Sequence, residues 1–235
     1  MHNHRQFSAV SCNIMKPLHF ITLLIFSINS YSFECYCDSE KDLDLYISCD
    51  TINFTNNSFL YRQFNCDSSW LTYENKNGIK KILYALQAPL IDYTERLGYQ
   101  FEFEYKSTFL IRNRLISGCC KPPEFLLFNK QSGNIVKKFG RLIYHSELKN
   151  LPIVAYLNQK DLNSIIIYNF DTKVKKVIEL PKNVLINTVR QSNFMLGEDL
   201  FEETVYSNGK LIFTYKFQNK GNTTKWFTKK VSILI

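Results

Sequence analysis

The sequence predicts a mainly β protein, an antiparallel meander of hairpins arranged as a sandwich or a partial propeller. Three observations predict it. First, aromatic residues make up 15% of the chain. They recur with Ile and Val in short runs separated by turn residues, which is a strand signature rather than a helix signature. Second, Tyr99, Phe101, Phe103 and Tyr105 alternate with Gln100, Glu102 and Glu104. A period of two puts the aromatics on one sheet face and the polar groups on the other, so Glu102 and Glu104 are expected on a solvated face. Third, a hairpin-like unit repeats. Residues 70–83, 125–139 and 165–178 each hold an apolar strand ending in an aromatic, a polar turn, and a second strand with a Lys-Lys pair. Gly78, Gly133 and Lys173 stand at the same offset from Tyr73, Phe128 and Tyr168, a place where positive φ closes a hairpin.

Taken in order, residues 1–32 read as a cleavable export signal. Residues 18–28 (LHFITLLIFSI) form an uncharged apolar run behind Lys16, and Ser30-Tyr31-Ser32 supplies the small residues of a cleavage site. Met15 offers an alternative start. The run is about half the roughly 20 residues of a bilayer-spanning helix. Cleavage after Ser32 would leave residues 33–235 as one β-rich, disulfide-containing domain, secreted or periplasmic. Losing Arg5 and Lys16 lowers the net charge from +8 to +6. Six cysteines remain: Cys35, Cys37, Cys49, Cys66, Cys119 and Cys120. An even number in an exported chain reads as disulfides, of unassigned connectivity. Adjacent Cys119 and Cys120 suit a mutual bridge poorly and are expected to reach the N-terminal group. A zinc site needs more histidine than this chain offers after the signal, where His145 stands alone. No cofactor is expected.

Leu43, Leu45 and Ile47 alternate ahead of Cys49. Next, residues 78–98 support two readings. Ile79, Ile82, Leu83 and Leu86 have helical spacing, Pro89 would break a helix, and Gly98 would stop one, giving a short helical segment near 79–97. Alternatively, 79–83 is the second strand of the first hairpin. Further on, residues 141–181 read as four strands near 141–145, 152–157, 164–169 and 174–180. Phe128, Tyr168 and Tyr206 lie 40 and 38 residues apart, close to the length of a four-stranded propeller blade. Residues 204–213 form a shorter hairpin around Asn208-Gly209, the strongest two-residue turn signal.

The stretch Ile91-Asp92-Tyr93-Thr94-Glu95-Arg96-Leu97-Gly98-Tyr99-Gln100-Phe101-Glu102-Phe103 resembles the helix, Leu-Gly turn and strand of a periplasmic solute-binding domain's first lobe. Residues 110–118 then resemble that family's following helix. The resemblance covers about 30 residues, and Cys119-Cys120 stand where the family usually has an Asp. It implies capture of a small molecule and carries no ligand-binding residue onto this chain.

Catalytic constellations are thin. A Ser or Cys hydrolase would have to use His145 as its base, and no Gly-x-Ser-x-Gly elbow accompanies it. The carboxylate pairs Asp42/Asp44, Glu102/Glu104 and Glu202/Glu203 fit solvated faces. No phosphate-cradling loop or dinucleotide fingerprint is present. A nucleic-acid partner is not expected, because no recognition motif or Arg-rich stripe appears; nor is stable membrane insertion after signal cleavage. The sequons at Asn53, Asn56 and Asn222 are the chance matches of an Asn-rich chain. What recurs is the lysine pair: Lys80-Lys81, Lys137-Lys138 and Lys175-Lys176. Hairpins lying side by side would align them in a basic row able to dock an acidic protein, although edge lysines also suppress strand aggregation. The expected function is therefore a non-enzymatic protein binder, of the inhibitor or immunity type, that neutralises a toxin or envelope hydrolase by occlusion. The alternative is solute capture.

Overall fold

Each strand-forming run pairs with its neighbour in sequence, and the chain folds as four successive antiparallel sheets. The computed structural model describes residues 47–114, 122–192, 196–219, 221 and 224–235. The signal segment and Cys35, Cys37, Leu43, Leu45, Cys119 and Cys120 lie outside the described residues. The first sheet is β1 (Ile52–Asn53), β2 (Phe59–Phe64), β3 (Ser68–Glu74) and β4 (Lys80–Gln87). The second is β5 (Gly98–Glu104), β6 (Thr108–Arg114), β7 (Glu124–Asn129) and β8 (Ile135–Phe139). The third is β9 (Tyr144–His145), β10 (Ile153–Leu157), β11 (Ser164–Asn169) and β12 (Lys175–Glu179), matching the four strands expected over 141–181. The last has three strands, β13 (Phe201–Ser207), β14 (Lys210–Gln218) and β15 (Trp226–Leu234). Among the described residues no closed barrel forms.

The sheets stack face to face in chain order. Leu60, Leu71 and Tyr73 of the first sheet pack on Phe109, Ile111, Leu126 and Phe128 of the second. The other face of the second sheet, with Leu110, Phe125, Leu127 and Phe139, packs on Val154 and Tyr168 of the third. Ile153, Ala155, Leu157, Ile165 and Ile167 turn to the far face and meet Leu211, Phe213 and Tyr215 of the fourth. The middle sheets are covered on both faces, so runs such as Phe125-Leu126-Leu127-Phe128 are buried throughout. Burying one such side chain stabilises by about 1.5–3 kcal/mol. At the first junction Phe54, Tyr73 and Phe128 each stack on Phe109, with ring centroids 4.9, 5.4 and 5.2 Å apart.

The repeated turn is a real structural unit. Gly78, Gly133 and Lys173 have φ of 77°, 63° and 58°, and Asn208 and Gly209 are both positive, as a type I′ turn requires. The short hairpin at 204–213 joins the first two strands of its sheet, whereas the three longer ones join the last two.

One pair of readings is decided and three expectations are corrected. Residues 80–87 are strand β4, and the segment's helical content is one 3₁₀ turn at Ile91–Tyr93. The register skips Leu83, since Leu71 pairs with Tyr84 and Thr72 with Ile82. This bulge breaks strict alternation and imitates a helical period. Residues 110–114 are strand β6, which removes the helix implied there by the solute-binding resemblance. A second bulge skips Glu102, so the aromatics of β5, and Tyr105 just after it, split between faces: Tyr99 and Phe101 join the first junction, Phe103 and Tyr105 the second. Finally, Glu104 is buried and Glu102 is 16% exposed at its side chain, because neighbouring sheets cover that strand. One helix went unread, α1 (Val184–Ser192), whose Leu185 and Thr188 are buried. Thr188 anchors it to β14 by accepting the Gln218 N–H at 2.9 Å.

Candidate functional site

β4, β8, β12 and β15 are the last strands of their respective sheets and lie at sheet edges. All three lysine pairs fall on these outer edges: Lys80-Lys81 on β4, Lys137-Lys138 on β8 and Lys175-Lys176 on β12. A fourth pair, Lys229-Lys230 on β15, completes the set. Sequence reasoning missed it, although the signal was there. An apolar residue follows every pair: Ile82, Phe139, Val177 and Val231.

Neighbouring residues on a strand point to opposite faces, and this divides the labour within three of the pairs. One lysine reaches the next sheet. Lys81 Nζ donates to Asn134 Oδ1 at 2.5 Å, across to the β7–β8 turn. Lys137 Nζ lies 4.4 Å from the Tyr168 ring centroid and 5.6 Å from that of Phe139, a cation–π placement. Burial and the nearby Lys175 push its pKa down. Lys176 Nζ donates to the Leu234 carbonyl at 2.7 Å. The other lysine faces outward. Lys80 Nζ is 3.7 Å from Glu74 Oε2, while Lys138 and Lys175 are exposed and make no ion pair to another described residue. The inward contacts link β4 to the second sheet, β8 to the third and β12 to the fourth, so the edges form one continuous rim.

The rim's chemistry is cationic and partly apolar. Glu179 is the one acidic residue within β4, β8, β12 and β15. Ile82, Val177 and Leu234 are each more than half exposed. Such a surface attracts anions at long range and offers apolar area for close contact.

The remaining singled-out residues lie elsewhere. His145 is in β9, at the opposite edge of the third sheet. Its Nε2 is 3.9 Å from Glu102 Oε2, and Glu102 Oε1 is 2.7 Å from Arg112 Nε. Burial holds the imidazole below its ordinary range, against the opposing pull of Glu102 and Glu147. Of the cysteines, Cys49 and Cys66 fall among the described residues. No cluster of metal-ligating side chains occurs among the described residues, and no described helix is long and apolar enough to cross a membrane. Comparison with known protein families, with curated proteins and with solved structures finds no match to this chain.

Proposed function

We propose that this is an exported, non-enzymatic binding protein that docks an acidic protein partner along its lysine rim. Occupying the partner's active cleft there would neutralise a toxin or envelope hydrolase. One observation carries the reading: consecutive outer strands all bear a lysine pair, and in the second and third sheets one member is spent on joining sheets while Lys138 and Lys175 face solvent. Protecting an edge from aggregation needs only a lysine on that edge. A paired arrangement repeated on every sheet, with exposed aliphatics between, suits a shared anionic partner better. A secreted or periplasmic location with bridged cysteines belongs to the same proposal.

The test is capture from the extracellular or envelope fraction at about 0.15 M salt, where exposed charges more than about 8 Å apart are largely screened. The wild-type protein should retain a specific acidic protein. A Lys138→Glu/Lys175→Glu variant should lose it while melting at the wild-type temperature. Undiminished capture by that variant would refute the rim as the docking surface.

A further inference from the structure

The edges opposite the rim carry a second site of different chemistry. β9 and β13 are the first strands of the third and fourth sheets, and an open cleft of about 460 Å³ lies between them, lined by Tyr144, His145, Glu147, Leu148, Thr204 and Tyr206 among others. That volume falls within the range of small-molecule sites, about 300–1,000 Å³. We propose that this cleft binds a neutral carbohydrate unit, independently of the lysine rim.

The lining chooses the ligand class. No Lys or Arg is among the cleft's described lining residues, so a phosphate or carboxylate would meet no counter-charge. Tyr144 and Tyr206 pack against the core between the third and fourth sheets, which fixes their rings as apolar platforms with polar tips. Thr204 and Tyr206, two residues apart on β13, share one face of the strand. Their hydroxyls, with the Tyr144 phenol, can each donate and accept. Glu147 is exposed and adds a strong acceptor. The His145 side chain, next to Tyr144 on β9, turns to the other face, toward Glu102 and Phe125 of the second sheet, and is not one of the ligand-binding groups. Apolar ring faces edged by hydroxyls and a carboxylate match a sugar, whose C–H faces are apolar and whose rim is hydroxyl.

Tyr144, Thr204 and Tyr206 stand on strands, while Glu147 and Leu148 lie in the loop after β9. Tyr144 pairs with Ala155 and His145 with Val154 in β10, while Thr204 pairs with Phe213 and Tyr206 with Leu211 in β14. The cleft is therefore held open by the same sheets that form the core, so little ordering free energy is lost on binding.

Titration of the full chain with glucose, galactose, N-acetylglucosamine and maltose, followed by ligand-observed NMR, tests the assignment, with choline and inorganic phosphate as charged controls. At least one of these sugars should bind saturably. Tyr206→Ala and Glu147→Gln should each weaken it by about tenfold or more, the size of one lost hydrogen bond to a charged group or one stacked ring. Thr204→Val removes a hydroxyl and keeps the side-chain shape, so it reports on the site should Tyr206→Ala fail to fold. Lys138→Glu/Lys175→Glu should bind the sugar normally, which separates this site from the rim. Saturable binding of none of these sugars, tighter binding of choline or phosphate, or sugar binding indifferent to Glu147→Gln and Thr204→Val would overturn the proposal.

Discussion

Glu104 and Lys130 are charges that the fold takes out of water, at 8% and 2% exposure. Glu104 Oε1 accepts from the Thr55 N–H, the Thr55 hydroxyl and Lys130 Nζ, each at 2.7 Å, and Oε2 accepts from Lys149 Nζ at 2.9 Å. Tyr73 donates its hydroxyl to the Lys130 carbonyl, so this cluster bolts the first sheet to the second, with Lys149 reaching in from the loop before β10. Removing Lys130 would leave the carboxylate buried without its closest cation. Lys130→Ala should cost about 3–5 kcal/mol in chemical denaturation. Acid should act on the same group. Burial alone would raise the Glu104 pKa, but hydrogen bonds from Lys130, Thr55 and Lys149 outweigh it and bring the value from 4.5 down to about 2. Because the folded value is the lower one, the unfolded chain binds more protons. The stabilisation is present above pH 4.5 and lost as pH falls towards 2, an effect of about 3 kcal/mol. His145 works in the same direction at a higher pH, since burial lowers its pKa from 6.5. Its folded form resists protonation, so stability should already begin to fall below about pH 6.5. Melting curves at pH 7, 5 and 3 should therefore show a progressive decline. In Glu104→Gln the decline between pH 5 and 3 should be much smaller.

At the scale of the element, the hairpin turn was the most legible feature, because it depends on local chemistry. Asn129 Oδ1 accepts from the N–H groups of Gln131 and Ser132, and Asn169 Oδ1 accepts from those of Asp171 and Thr172. These are matching Asx turns. The same turn carries different residues at its positive-φ position, which yields a paired prediction. A Cβ on Gly133 would sit 2.5 Å from Tyr73 Cδ1, and Tyr73 is buried in the aromatic stack. Gly133→Ala should destabilise by more than about 2 kcal/mol, combining left-handed strain with overpacking. Lys173→Gly removes strain at an exposed turn and should stabilise by up to about 1 kcal/mol, read as a rise of a few degrees in Tm. Strand faces were less legible. Alternation predicts them only while register is unbroken, and the bulges at Leu83 and Glu102 reverse it. Those bulges depend on the partner strand, which a linear pattern does not contain. The helix α1 had a local signal in Leu185, Thr188 and Val189, spaced i, i+3, i+4, but it is short and mixed with polar residues.

The whole molecule is a row of four sheets with unlike edges. Lysine pairs occupy the last strands, while Glu102, Glu104, Glu202 and Glu203 lie on first strands. The pairs were visible in the sequence, and their alignment was foreseeable from the repeat. Their division of labour was not, because it depends on Asn134, Tyr168 and Leu234 in neighbouring sheets. The inward set should behave as structure. Lys137→Ala gives up its contact with the Tyr168 ring and should cost about 0.5–1 kcal/mol. Lys138→Ala should leave stability within about 0.5 kcal/mol of wild type. The most direct test of the central claim is lysine acetylation footprinting by mass spectrometry, comparing the protein alone with its complex with a captured acidic protein. Docking on the rim predicts that Lys138 and Lys175 become protected, while Lys106 and Lys160, in turns away from the outer edges, keep their reactivity. Unchanged labelling of Lys138 and Lys175, with protection elsewhere, would contradict it.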